Sequence, residues 1–171
     1  AGCIGLMTLQ ACVLMGAERI VVADVIERRL EKALQLGAWH VINGRKEDTV
    51  DRSRALFGGD GADIVFETAG SRVTAMQSFA SVRRGGEVMI VGTIPGETPV
   101  DFLKINREVK VQTVFRYANN FPMTIQAISS GRFDVLTMVT DEYTYEDVQK
   151  AFEESLSRKA EIIKGVIKIG D

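Results

Sequence analysis

AGCIGLMTLQACVLMGAERIVVAD, the sequence of residues 1–24, decides the fold of this chain. The apolar stretch 6–15 predicts a helix, and Gly16 lies where that helix is expected to end. The run RIVVAD at 19–24 is rich in β-branched residues and ends in an acidic residue. Continuous apolar runs of this kind are typical of strands that are covered on both faces of a parallel sheet. The stretch therefore predicts a helix followed by a buried strand.

The rest of the chain repeats this alternation of strands and helices. Helices are predicted at 27–36, 45–57, 72–82, 119–130 and 145–157, and strands at 39–42, 62–66, 86–91, 110–115 and 162–169. Parallel neighbouring strands need a crossover, and helices must cover both faces of the sheet. The alternation therefore predicts an α/β fold with a doubly wound parallel sheet. Ligands bind beyond the carboxyl ends of the strands in this architecture, where the chain carries Asp24, Glu67 and Gly92.

The composition of the 171 residues excludes several classes of protein. Hydrophobic residues make up 46% and charged residues 26%, with 16 Gly and 3 Pro, which is typical of soluble globular proteins. A net charge of -2 gives no basic surface for nucleic acid or an anionic membrane. The apolar stretch 1–17 lacks a basic leader and is marginal for a membrane span. We therefore expect neither partner.

The cysteine and histidine content bears on metals and on the compartment. Cys3 and Cys12 have no CxxC spacing, and His40 is the one histidine, so the chain has too few soft ligands for a zinc site of its own. Two thiols in a chain of this size fit a reducing cytoplasm, where we expect them to be small core residues.

Two glycines near the start have a spacing that points to a nucleotide. Gly2 and Gly5 match the second and third glycines of a GxGxxG turn whose first glycine would lie just before Ala1. The middle glycine lets the backbone approach a pyrophosphate, and the last allows close packing of helix on strand. The N-terminus of the following helix offers free N–H donors to the phosphates. Two glycines at a helix start can also form only a cap or a tight turn.

Asp24 supports the nucleotide interpretation and distinguishes between cofactors. It ends the next strand, near the offset at which an acid accepts hydrogen bonds from the adenosine ribose hydroxyls. The 2′-phosphate of NADP would meet this carboxylate, so NAD is favoured. Arg28 and Arg29 could instead accommodate that phosphate, lie on the solvated face of their helix, or stack on the adenine.

Several segments together resemble one family over essentially the whole chain. They are AGCIGL at 1–6, VVADVIERRLEKALQLGA at 21–38, GADIVFETAG at 61–70, GGEVMIVGT at 85–93 and VFRYANNFPMTIQAISSGR at 114–132. In order and spacing they are similar to the cofactor-binding half of zinc-dependent medium-chain alcohol/polyol dehydrogenases, most closely the sorbitol (L-iditol) dehydrogenase branch. The resemblance implies an NAD-binding Rossmann domain at 1–135, and a segment at 136–171 that belongs to the catalytic domain.

The resemblance also implies roles for individual residues. The residues it places at the cofactor are Gly2, Ile4, Gly5, Asp24, Arg29, Val91, Gly92, Thr93, Phe115 and Arg116. Of these, Asp24 would hold the adenosine ribose, Arg29 would flank the adenine, and residues 91–93 would line the nicotinamide. Arg116 and Tyr117 would face a polyol hydroxyl in the substrate cleft.

Two parts of the family pattern are absent from this sequence. One is the central strand with the first glycine; the other is the N-terminal catalytic half, which carries the catalytic zinc and its Cys, His and Glu ligands. We expect zinc in the full-length enzyme but not on this chain, no catalytic residue here, and no activity of the chain alone. We also expect free backbone groups on the strands that end at Asp24 and Phe66, and a homo-oligomer for the full-length enzyme.

The resemblance implies oxidation of a polyol such as sorbitol to a ketose by hydride transfer to NAD. Threonine or a small diol such as butanediol is an alternative substrate. A non-catalytic NAD(H)-sensing module and a methyltransferase that binds S-adenosylmethionine are alternatives from other classes. The FRYAN segment at 115–119 and the VGT segment at 91–93 favour the dehydrogenase.

Other polar residues have simpler interpretations. Glu67 at a strand end could be a functional acid, but we expect an exposed carboxylate there. His40 is expected to be an ordinary, partly exposed histidine and not a proton shuttle. Tyr143 and Tyr145 are expected to be packing residues. Arg116 is predicted to follow a buried strand, and its alternative role is an ion pair with Glu108 or Glu67.

Overall fold

The computed structural model describes residues 1–105 and 108–170 and has an α/β fold. Its strands are β1 (Val21–Asp24), β2 (His40–Asn43), β3 (Ala62–Glu67), β4 (Val82–Ile90), β5 (Lys110–Thr113), β6 (Asp141–Thr144) and β7 (Gly165–Lys168). Its helices are α1 (Cys3–Leu14), α2 (Glu27–Gln35), α3 (Thr49–Leu56), α4 (Arg72–Ser81), α5 (Phe102–Ile105), α6 (Phe121–Ser129) and α7 (Val148–Ser157), with a 3-10 turn at Leu136–Met138. The predicted alternation is confirmed. Asp171, the last residue of the predicted C-terminal segment, lies outside the described residues.

The strands pair in parallel, as predicted. β1 pairs with β2, β4 lies between β3 and β5, and β6 pairs with β7. β1 and β3 each hydrogen-bond one neighbouring strand within the described ranges, and they do not pair with each other. Both strands therefore keep one open edge, as expected from the sequence. The carboxyl ends of β1 and β3 are the ends that carry Asp24 and Glu67.

Capping and periodicity explain where the helices lie. In α2, Leu30 and Ala33 are buried at helical spacing, with Glu27 in the first turn and Lys32 in the last. The predicted helix 45–57 begins only at Thr49, because the side chain of Asp48 accepts a hydrogen bond from the Asp51 N–H, 2.9 Å away.

Within the described ranges, none of the helices has both the length and the apolar character that a membrane crossing needs.

Two strands differ from the sequence prediction. β4 begins at Val82, a residue predicted to end the preceding helix; Val82 is 1% exposed and pairs with Ala62 across a register shift. β6 was not predicted, because in its sequence DEYT only Tyr143 is buried and the other residues are polar. In both cases partner strands, rather than the local pattern, decide the structure.

The core joins the two ends of the chain. Leu6 and Leu9 of α1 pack with Ala33 of α2, and Met138 and Ile163 from the C-terminal segment complete the same buried cluster. The buried Gln10 makes two hydrogen bonds to the backbone of Asp134. Its amide nitrogen donates to the Asp134 carbonyl (3.1 Å), and its amide oxygen accepts from the Asp134 N–H (2.7 Å). The C-terminal segment is thus packed against the first helix; the predicted domain boundary after residue 135 stays a prediction.

Candidate cofactor site

The N-terminus of α1 lies between the carboxyl ends of β1 and β3. On one side the Ala1 backbone nitrogen contacts the Asp24 carboxylate at the end of β1. On the other side a Cβ placed on Gly5 would lie 2.9 Å from the Thr68 hydroxyl oxygen, directly after β3. The helix start is therefore at the point where a parallel α/β sheet binds its ligands.

The two glycines of the predicted turn meet different surroundings. A side chain at Gly5 would force Thr68 to move, because a Cβ there would lie 2.9 Å from the Thr68 hydroxyl oxygen. Gly2 is the N-cap of α1 with no side-chain cap, and its would-be Cβ meets only Arg29 Nη1, at 3.9 Å. The first N–H groups of a helix have no partners within it. The turn is thus closely packed at Gly5 and open at Gly2.

Asp24 is held in place by its own backbone neighbours. One carboxylate oxygen accepts hydrogen bonds from the N–H groups of Val25 (2.7 Å) and Ile26 (2.9 Å). Burial raises the pKa of Asp24, whereas these two backbone hydrogen bonds lower it. The carboxylate is thus a hydrogen-bond acceptor whose position is fixed at the end of β1.

Arg29 reaches from α2 to the glycine turn. Its guanidinium lies beside Gly2 and donates a hydrogen bond from Nη2 to the carbonyl of Lys159, in the segment after α7. Its Nε atom is buried and has no hydrogen-bond partner in the described part of the chain. Gly2, Gly5, Asp24 and Arg29, predicted from separate segments, are thus brought to one place.

Glu67 is buried, so the expectation of an exposed carboxylate is wrong. The residue is 2% exposed, and its Oε1 accepts hydrogen bonds from the N–H groups of Ala69 and Gly70 (2.9 Å each) and from the Thr74 hydroxyl (2.7 Å). The chain turns back over the strand end after Glu67, so that its donors enclose the carboxylate. The sequence signal is weak: a small, hydroxyl-rich stretch, TAGSRVT at 68–74, follows the acid.

Residues 91–93 pack against the turn 68–70, which follows Glu67. The Val91 and Gly92 N–H groups donate to the Glu67 carbonyl at 2.8 and 2.9 Å. A Cβ on Gly92 would collide with the Gly70 nitrogen and would lie 2.5 Å from Glu67 Oε2. Val91 and Gly92 are partly exposed and Thr93 is exposed. The predicted nicotinamide segment therefore presents an accessible surface with a closely packed backbone behind it.

The predicted substrate residues lie on an exposed part of the chain. The four residues of β5 are exposed, so the expectation that Arg116 follows a buried strand is wrong; β5 is an edge strand with β4 on one side. Phe115 is 84% exposed and the Arg116 guanidinium lies over its ring, 5.1 Å from the centroid. Tyr117 is also exposed and contacts the Phe121 ring edge-on.

The alternative partners predicted for Arg116 are engaged elsewhere. Glu108 pairs with Arg84, with 3.4 Å between the Arg84 Nε and a Glu108 carboxylate oxygen. The Glu67 carboxylate accepts hydrogen bonds from its own turn. Arg116 itself has a positive φ of 59°, in a turn that leaves the sheet after β5. The ion-pair interpretation is therefore wrong for both acids.

The residues described here do not fit a zinc site. Across 1–105 and 108–170, no group of three or more His, Cys, Asp or Glu side chains could hold a metal ion. Cys3 and Cys12 are free thiols on α1, and burial raises the pKa of Cys12. His40, partly exposed as expected, has its Nε2 3.3 Å from Arg52 Nη2.

The two tyrosines expected to be packing residues differ in their exposure. Tyr143 is buried, as expected, whereas Tyr145 is 63% exposed and the expectation that it packs is wrong.

Comparison with known proteins identifies the family. The family model described as "Zinc-binding dehydrogenase" matches residues 3–130. The chain belongs to this family. The matched range contains every predicted cofactor and substrate residue except Gly2.

Relatives of this zinc-binding dehydrogenase chain are similar over its whole length. It is 65% identical over 171 residues to the "Uncharacterized zinc-type alcohol dehydrogenase-like protein YdjJ" of Escherichia coli (strain K12), covering 100% of the chain and 49% of that protein. It is 38% identical over 170 residues to the sorbitol dehydrogenase of Bacillus subtilis (strain 168), covering 97% of the chain and 48% of that protein. The chain spans about half the length of the curated relatives it matches.

A solved structure has the same fold. It is an Escherichia coli protein described as "an oxidoreductase/dehydrogenase of unknown specificity involved in membrane biogenesis", with a TM-score of 0.96 and 65% sequence identity. The match covers 99% of this chain and 49% of that one. The α/β fold with parallel sheets is therefore that of the corresponding part of a zinc-binding dehydrogenase.

Proposed function

We propose that this chain is the cofactor-binding part of an NAD-dependent, zinc-dependent dehydrogenase that oxidises a polyol such as sorbitol to a ketose. The observation that carries the proposal is the position of the α1 N-terminus, with Asp24 on one side and the tight Gly5–Thr68 contact on the other. A dinucleotide needs both an open helix N-terminus for its pyrophosphate and an acid for its ribose. The similarity to a sorbitol dehydrogenase supports the substrate class.

The residues of this chain fit the adenosine end of the dinucleotide. Gly2, Ile4 and Gly5 would hold the pyrophosphate at the start of α1, and Asp24 would accept hydrogen bonds from the ribose hydroxyls. Arg29 would flank the adenine, as the resemblance implies, and its guanidinium lies beside Gly2 at this end of the site. The carboxylate at this end favours NAD over NADP, since a 2′-phosphate would meet a like charge.

At the other end, residues 91–93 would line the nicotinamide, with Phe115 and Arg116 closing the pocket. The nicotinamide ring of NAD takes up a hydride when the alcohol is oxidised. Arg116 and Tyr117 would face the polyol, to which the guanidinium donates hydrogen bonds and the phenol both donates and accepts them. Both side chains are exposed and free to meet a ligand.

The remaining features of the whole protein are also proposals. We assign zinc to parts of the full-length protein outside this chain, and we expect the chain by itself to be inactive. Residues 136–171 would belong to the catalytic domain, and the full-length enzyme would be a cytoplasmic homo-oligomer. These assignments follow the resemblance to polyol dehydrogenases.

Ligand titration of the full-length protein tests the cofactor assignment. NADH, NADPH and S-adenosylmethionine are titrated separately by isothermal calorimetry. We expect NADH to bind at least about tenfold more tightly than NADPH, which corresponds to about 1.4 kcal/mol. Binding of S-adenosylmethionine without NADH would overturn the dehydrogenase proposal. Tight NADH binding with no oxidation of sorbitol, butane-2,3-diol or threonine would instead favour the NAD(H)-sensing module.

A further inference from the structure

Glu67 is a buried carboxylate that the cofactor assignment does not use. It is 2% exposed at the carboxyl end of β3, and three donors converge on Oε1: the Ala69 and Gly70 N–H groups and the Thr74 hydroxyl. Burial of a carboxylate is costly unless such donors compensate for the lost water. The side chain therefore fixes the turn 68–70 at the end of the strand.

The main chain of Glu67 holds the neighbouring segment. Its carbonyl accepts hydrogen bonds from the Val91 N–H at 2.8 Å and the Gly92 N–H at 2.9 Å. One residue thus binds two segments, the turn 68–70 through its side chain and the segment 91–93 through its backbone. A shift of Glu67 would displace both.

The second carboxylate oxygen faces the point where the two segments meet. Glu67 Oε2 is buried without a hydrogen-bond partner in the described part of the chain. It lies so close to Gly92 that a Cβ there would be 2.5 Å away. A Cβ on Gly70 would likewise lie 2.8 Å from the Thr93 carbonyl oxygen. An unpaired buried acceptor in a native structure calls for an explanation, and local strain at a functional site is one.

We infer that Glu67 is a positioning residue that sets the turn 68–70 against the segment 91–93 and so shapes the nicotinamide end of the cofactor pocket. This inference rests on the proposed function. Glu67 itself lies behind the pocket wall, because its carboxylate is buried while Thr93 is exposed. It acts through the backbone of Gly70 and Gly92 and not by contact with the ligand.

The test compares NADH with ADP-ribose, which lacks the nicotinamide, in the full-length protein. Glu67→Ala removes the acceptor of two backbone N–H groups, so we expect the Kd of NADH to rise by at least about tenfold. The Kd of ADP-ribose should rise clearly less than that of NADH, because the turn 68–70 reaches the pyrophosphate end through the Thr68–Gly5 contact, whereas Asp24 and Arg29 make their hydrogen bonds with other residues. Glu67→Gln keeps one carbonyl oxygen for the same donors and should restore most of the NADH affinity.

The matched control is Glu87→Gln on β4, which removes the charge that pairs with Lys110 in an exposed ion pair and should leave both Kd values unchanged. If Glu67→Ala does not fold, Glu67→Asp, which withdraws the carboxylate by one methylene, should still raise the Kd of NADH several-fold. Equal losses for NADH and ADP-ribose, or no loss for either, would overturn the inference. If the wild-type protein binds neither ligand, the proposed function itself fails, which is a separate result.

Discussion

Gly92→Ala should disrupt the packing at the carboxyl ends of β3 and β4. The added methyl group would collide with the Gly70 nitrogen, and it would lie 2.7 Å from the Gly70 Cα and 2.5 Å from Glu67 Oε2. Two of these atoms are backbone and the third is a buried carboxylate oxygen with its side chain fixed by three donors. None of them can rotate away, so one segment has to move.

The size of the effect follows from that crowding. Carbon and its neighbours pack at about 3.5–4.0 Å, so the two segments would have to separate by roughly 1 Å. Overpacking of a well-packed region costs about 1–3 kcal/mol, and backbone atoms on one side place this site at the upper end, about 3 kcal/mol. The same movement would weaken the hydrogen bond from the Gly92 N–H to the Glu67 carbonyl.

Thermal unfolding and NADH titration of the full-length protein measure both consequences. We expect a clear fall in Tm together with an increased Kd for NADH. Gly165→Ala on β7 is the matched control: its Cβ would make an ordinary 3.4 Å contact with the Tyr143 ring, so the free energy of unfolding should change by less than about 1 kcal/mol. An unchanged Tm for Gly92→Ala would refute the idea that the two segments are closely packed.

Three further changes test separate parts of the molecule. Asp24→Ser in the full-length protein should shift the preference from NAD towards NADP by about 1–3 kcal/mol, measured as the ratio of kcat/KM for the two cofactors, because a charged acceptor is lost and repulsion of the 2′-phosphate is relieved. Arg116→Ala should lower kcat/KM for polyols by about 10–100-fold while NADH affinity falls much less; equal losses for a polyol and a simple alcohol would show that Arg116 does not set specificity. Gln10→Leu should lower the free energy of unfolding by about 1–3 kcal/mol in urea titrations, since the Asp134 N–H and carbonyl lose their buried partner. No change in the urea midpoint would mean that water replaces the amide at no cost.

The order of strands and helices could be predicted because each depends on its own local pattern. Leu30 and Ala33 recur at helical spacing and are buried, and the run ending at Asp24 is a strand. The burial of β5 could not be predicted, because an apolar run does not reveal whether the strand has a neighbour on both sides. β6 escaped prediction because Tyr143 is its one buried residue.

The candidate site was only partly predictable for a similar reason. Gly2, Gly5 and Asp24 carry a known spacing, whereas the environment of Glu67 depends on a turn that folds back over it. The presence of an acidic residue at the end of a strand does not indicate whether its carboxylate faces water or is enclosed by the following turn. Contacts between distant segments, such as Arg29 with Lys159, leave no local pattern at all.

The contact between Arg29 and Lys159 has a consequence for the order of folding. The two residues are 130 positions apart, and Gln10 and Asp134 are 124 positions apart. Contacts over such separations require the closure of a very long loop, and they form after local helices and neighbouring strand pairs. The guanidinium beside Gly2 therefore reaches its final position only when the last third of the chain has docked. Truncation of the C-terminal segment before Lys159 would therefore remove the carbonyl that holds the Arg29 guanidinium beside Gly2, although the glycine turn and α1 lie at the other end of the sequence.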